Sequence, residues 1–197
     1  MNWFSEKERK EAANILLAGG VAVVPTDTLY GLVARAADKS AVERVYVLRK
    51  RAPQKPVIVL VASLGDLSFL GIALSVPQRV FLQKVWPGPV SVVLDCPDKE
   101  WEHIHRGTFS MAVRIPDNLD FREFVRLTGP LIAPSANTEG NPPARNIKEA
   151  RGYFGEGADA YLDAGELERE PSTLVRLFAD GSWEILREGA GKIKEGV

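Results

Sequence analysis

Two continuous apolar runs, Val21–Val24 stopped by Pro25 and the β-branched run Pro56–Val61, most constrain how this chain can fold. Short runs that are apolar at every position are covered on both faces and belong to buried strands. Around them lie helix signals. Ser5 and Glu8 have capping-box spacing, followed by Ala12, Ile15 and Leu16 at helical spacing and by a Gly19-Gly20 stop. Ser40 and Glu43 repeat the box, with Val42, Val45 and Tyr46 as the buried stripe. A helix over about 76–85 ends at Trp86-Pro87-Gly88-Pro89, where the aromatic ring is a plug. Strands are expected from Val90 through Leu94, over Met111–Ile115 and over Leu131–Ala133, and a helix over Leu119–Leu127 capped by Asp117 or Asn118. Asn146 and Glu149 open another helix. Thr173–Phe178 and Trp183–Arg187 flank Asp180-Gly181, a hairpin signal. Alternating helices and buried strands closed by a hairpin predict an α/β fold with a mixed sheet and helices on its faces.

The length of 197 residues suits one domain spanning 1–197, with a substantial core. A net charge of −1 leaves nucleic-acid binding to a local basic patch, if any. The single cysteine, Cys96, rules out an intrachain disulfide framework and fits a reducing compartment. No stretch reaches the roughly 20 apolar residues of a membrane span, and Ser5–Lys10 is too charged for a signal-peptide core. A cytoplasmic protein with no membrane partner is expected.

Three segments concentrate chemistry. Ala133-Pro134-Ser135-Ala136-Asn137 follows the apolar pair Leu131-Ile132, which places Ser135 and Asn137 at the end of a strand, where α/β proteins bind small ligands. Pro25–Leu32 brings Thr26, Asp27, Thr28 and Tyr30 to another strand end: either a turn with local hydroxyl bonds or a binding rim. Arg49–Pro56 carries Arg49, Lys50, Arg51 and Lys55. Such a cluster is commonly solvated surface, but Arg49 continues the 42–45–46 stripe and should point inward, toward an anion. With Arg51 and Lys55 it makes a phosphate-sized positive site. Arg114 is a lone charge in a buried strand, needing either an acidic partner or a carboxylate ligand. Ser172-Thr173 and Arg187 add a hydroxyl and cation set near the hairpin. His103 and His105 would share one strand face without a third metal ligand beyond Glu102, and no metal site is assigned. Gly189-Ala190-Gly191-Lys192 echoes a phosphate loop but lacks its first glycine, its Ser/Thr and its helix.

Together Pro25–Leu32, Arg49–Val61, Trp86–Leu94, Met111–Pro116, Ala133–Asn137, Ser172–Val175 and Leu186–Gly189 resemble the YrdC-like threonylcarbamoyl-AMP synthases, in their short single-domain form. The resemblance implies a twisted open sheet around a concave basic cavity. It implies that L-threonine and bicarbonate form a carbamate whose oxygen attacks the α-phosphate of ATP, giving threonylcarbamoyl-AMP and pyrophosphate. A transfer complex of partner proteins would then modify adenosine 37 of tRNA, with tRNA itself a further partner. By resemblance, Arg49 and Arg51 are catalytic and face the nucleotide phosphates. Ser135 and Asn137 lie near phosphate and Mg²⁺. Ser110 and Arg187 are further nucleotide-side residues, and Thr28, Arg114 and Ser172 hold threonine. Arg49 stands where the family usually has lysine. Leu60 and Asn118 stand where it commonly has histidine, and Leu60 bears on the threonine pocket. The competing reading is a non-catalytic RNA- or ribosome-binding paralogue using the same basic cavity.

Overall fold

The computed structural model describes residues 5–193. The chain runs α1 (Glu6–Leu17), β1 (Ala22–Pro25), β2 (Tyr30–Arg35), α2 (Lys39–Leu48), β3 (Ile58–Leu60), α3 (Asp66–Phe69), α4 (Val76–Val85), β4 (Val90–Asp95), α5 (Glu102–His105), β5 (Ser110–Arg114), α6 (Leu119–Thr128), β6 (Leu131–Ile132), α7 (Ile147–Phe154), β7 (Ala160–Tyr161), β8 (Thr173–Leu177) and β9 (Trp183–Arg187). The strands form one open nine-stranded sheet in the order β7-β1-β2-β6-β3-β5-β4-β8-β9. Pairs β1/β7, β3/β5 and β4/β8 are parallel and the other neighbours antiparallel, so the expected mixed α/β sheet is what forms.

Alternate residues of one strand feed two cores, as a period of two requires. Val23 and Leu32 join the larger core with Val42 and Val45 of α2 and Phe81 and Leu82 of α4. Val24 and Val33 join the other with Leu16 of α1 and Phe121, Phe124 and Val125 of α6. Helices therefore cover both faces, which is why Val21–Val24 has no polar alternation.

The caps explain where helices start. Ser5 and Glu8 form the reciprocal box, and Asn118, not Asp117, accepts from Phe121 N–H at 2.8 Å. Asp38, not Ser40, caps α2, accepting from Ala41 N–H at 2.9 Å. An aspartate two residues upstream outcompetes the Ser40 box. Tyr30–Arg35 is a full strand pairing with β1, so only 26–29 of the hydroxyl-rich stretch is a turn. His103 and His105 lie on α5, not on a strand. His105 is fully buried; its Nδ1 accepts from Gly107 N–H at 3.1 Å, leaving Nε2 to donate to Asp98 O at 3.3 Å. Trp86 plugs the end of α4, its indole N–H donating to Val90 O at 2.6 Å.

Candidate active site

A cleft opens where β1, β3, β5 and β6 end or begin, beside the start of β8 and the end of β9. It has two lobes. One, of about 220 Å³, is lined by Thr28, Arg114, Pro171 and Ser172, with Thr26, Tyr30 and Pro143 around them. The other, of about 360 Å³, is lined by Arg49, Arg51, Val57, Val93, Thr108 and Ser110. Ile58, Pro134, Ser135 and Arg187 line both, so they form the shared wall.

The structure thus brings together eight of the nine residues that the family resemblance assigns to a site, divided between the lobes. Asn137, the ninth, lies behind the wall, only 6 % exposed. Its side-chain oxygen accepts from Ser135 Oγ at 2.6 Å and from Arg49 Nη2 at 3.1 Å. Its amide donates to Thr138 O and Asn141 O, at 2.9 and 2.8 Å. Asn137 therefore shapes the loop that presents Ser135.

Arg49 ends α2 and points inward, 4 % exposed. Among the described residues it forms no ion pair there. Nε donates to Asn137 O at 3.0 Å and Nη2 also reaches Ser135 Oγ at 3.3 Å. Nη1 is buried and has no partner among the described residues. Burial, and then the charge of Arg51, lower its pKa to about 10, which still leaves it protonated at neutral pH. Arg51 donates to Lys55 O and Pro56 O, and Arg187 to Ser172 O at 2.8 Å. Burial likewise lowers the pKa of Arg187. Carbonyl and amide oxygens satisfy donors without cancelling charge, so this lobe keeps a net positive field.

The smaller lobe differs. Arg114 forms a buried ion pair with Asp27, their side chains 5 % and 6 % exposed. Its Nη2 reaches Thr28 Oγ1 at 3.3 Å and its Nε has no partner among the described residues. Asp27 also accepts from Asp117 N–H at 3.0 Å. The acidic partner that a buried strand cation requires is therefore Asp27. Ser172 Oγ lies 2.8 Å from Ser91 Oγ.

Leu60 is fully buried in the core under α6, with Phe121 and Phe124, and lies outside both lobes. It therefore lines neither lobe, and Ile58, two residues earlier, lines the cleft instead. The tail glycines have a packing role: a Cβ on Gly189 would fall 2.2 Å from Pro171 O, and one on Gly191 2.6 Å from Pro89 O. Ala190 N–H donates to Pro171 O at 2.9 Å and Thr173 Oγ1 to Gly191 O at 2.7 Å, so this tail holds Ser172 at the cleft.

No group of three or more His, Cys, Asp or Glu able to hold a metal occurs among the described residues. The oxygens of Ser135 and Asn137 already face the Arg49 guanidinium. That donor set does not fit a protein-held Mg²⁺. Among the described residues no helix is long and apolar enough to cross a membrane. Ile58, Pro134 and Pro171 were not foreseeable as cleft residues, since apolar wall positions carry no chemical signature.

A family model covering the Sua5, YciO and YrdC proteins, described as "Telomere recombination", matches residues 14–189. A Cellvibrio japonicus protein named threonylcarbamoyl-AMP synthase is 35 % identical over 163 residues, 81 % of this chain and 85 % of that protein. The solved structure of Pyrococcus abyssi Sua5 complexed with L-threonine superposes with a TM-score of 0.87 at 28 % identity. The match covers 94 % of this chain and 55 % of that one, so this chain spans just over half the length of that Sua5. E. coli YciO shares the fold, with a TM-score of 0.85 at 23 % identity over 96 % of this chain and 93 % of its own. With its sheet, its cleft and this family match, the chain belongs to the Sua5/YciO/YrdC family.

Proposed function

We propose that this protein synthesises L-threonylcarbamoyl-AMP from L-threonine, bicarbonate and ATP, with release of pyrophosphate, supplying a transfer complex that modifies adenosine 37 of tRNA. The observation that carries this reading is the two-lobed cleft. One lobe holds cations left unneutralised, the other a paired arginine among hydroxyls, and Ser135 stands on the wall between them.

Nucleotidyl transfer asks a protein for alignment and charge neutralisation more than for covalent help. In this reading ATP lies in the larger lobe. Arg51, Arg187 and the free Nη1 of Arg49 face its phosphates, and Ser110 faces the nucleotide. Threonine lies in the smaller lobe with Thr28 and Ser172, its carboxylate directed at Arg114. The threonine nitrogen bonds to the bicarbonate carbon, and water leaves. A carbamate oxygen then bonds to the α-phosphorus while the bond to pyrophosphate breaks. Charge gathers on the phosphoryl oxygens beside Ser135 and Arg49, where donors set in advance stabilise it. Magnesium would arrive on the triphosphate and keep its waters, and no step is assigned to it.

Product analysis tests the reading. Purified protein is incubated with ATP, Mg²⁺, labelled bicarbonate and one of several amino acids. Label in a threonylcarbamoyl-adenylate peak with equal pyrophosphate is expected. Label with another amino acid would reassign the substrate. No adenylate, together with salt-dependent tRNA binding, would replace this reading with the RNA-binding one.

A further inference from the structure

Glu139 lies two residues beyond Asn137 and lines neither lobe. It joins two loops that both line the larger lobe, one carrying Arg51 and the other Ser135. Its backbone N–H donates to Arg49 O at 2.7 Å. Its carboxylate accepts from Ala52 N–H at 2.7 Å and pairs with Lys55. Ala52 and Lys55 are the ends of one turn, closed by Lys55 N–H to Ala52 O at 3.1 Å. One carboxylate therefore holds both ends of the turn that follows Arg51.

The aim of Arg51 depends on that turn. Its side chain donates to Lys55 O at 3.3 Å and to Pro56 O at 2.7 Å. The chain enters the loop through Lys50, whose φ of 50° is left-handed and unusual for a residue with a side chain. Such a conformation persists when its surroundings fix it, and Glu139 bonds on both sides of it, at Arg49 and at Ala52. Lys55 and the Ala52 N–H together hold the Glu139 carboxyl below its ordinary value.

We infer that Glu139 is a positioning residue for Arg51, clamping the 51–56 loop to the Ser135–Asn137 loop so that Arg51 meets the nucleotide phosphate. This rests on the larger lobe being the ATP site. Removing an acid near an anion site should tighten ATP on electrostatic grounds alone, whereas losing the clamp should weaken it.

The test is Glu139→Ala, read by steady-state kinetics and by amide exchange over residues 50–56. The KM for ATP should rise roughly tenfold, since small misplacements of a positioned group are costly, with the KM for threonine and the melting temperature unchanged. Glu139→Gln keeps an acceptor for Ala52 N–H and should recover part of the loss. In an Arg51→Ala background, Glu139→Ala should add nothing. Exchange over 50–56 should quicken in the free variant, which needs no substrate. An unchanged or lowered KM for ATP, an equal rise for threonine, additivity with Arg51→Ala, or undisturbed exchange would each overturn the inference. A wild type that forms no adenylate overturns the proposed function and this role with it. An active wild type with an indifferent Glu139→Ala overturns the clamp alone.

Discussion

The two lobes of the cleft hold their arginines in opposite ways. In the smaller lobe, Arg114 is neutralised by Asp27 in a buried pair. In the larger lobe, Arg49, Arg51 and Arg187 are held by carbonyl, hydroxyl and amide oxygens. The first arrangement fixes geometry and leaves little net charge, which suits a zwitterionic amino acid. The second leaves charge for a polyanion. A single cation type thus serves two purposes, set by whether its partner is a carboxylate or a peptide oxygen.

The largest expected effect breaks the paired side. Arg114→Ala leaves Asp27 buried and alone, and should cost about 3–5 kcal/mol of stability, visible as a lower melting temperature. Replacing both partners, Arg114→Met with Asp27→Leu, should restore stability but not threonine affinity. If Arg114→Ala melts like the wild type, the pair is not the structural element described here.

Arg51→Ala acts on the unpaired side. Adenylate formation should fall about 10²–10³-fold, as for loss of one donor to a developing charge, with an unchanged melting temperature. An unaltered rate would remove Arg51 from the chemistry. Gly189→Ala sharpens the comparison from the wall: a Cβ 2.2 Å from Pro171 O must push that segment away. A cost of about 1–3 kcal/mol is expected from overpacking, with threonine affinity falling more than ATP affinity, since Pro171 and Ser172 line only the smaller lobe.

The smallest effect is a pH dependence. The Glu139 carboxyl is held below its ordinary 4.5 by Lys55 and then by the Ala52 N–H. Its contribution is therefore complete above that ordinary value and lost as pH falls through the lowered one. Amide exchange over 50–56, corrected for its intrinsic pH dependence, should quicken in that acid range in the wild type. In Glu139→Gln it should show no such step.

Much of this was legible in the sequence. Continuous apolar runs gave β1 and β3 because both faces of the sheet are covered. The helical stripe placed Arg49 inward, which the structure shows. Four things were not legible, each for a physical reason. Pro25–Leu32 looked like one continuous rim because its polar turn residues run straight into β2 without a break. The partner of Arg114 lies 87 residues away, and a sequence alone cannot choose among acids at that distance. Glu139 carries no motif, since two of its three bonds to the 49–55 segment go to backbone groups that any residue could supply. The tail glycines looked like a failed phosphate loop because close backbone packing and phosphate cradling both demand glycine.

The most direct test of the division between lobes is calorimetric titration of L-threonine and, separately, ATP into the wild type and Arg51→Ala. ATP binding should be strongly weakened in the variant while threonine binding is unchanged. Loss of both ligands, or of threonine alone, would contradict the division of the cleft into an amino-acid lobe and a nucleotide lobe.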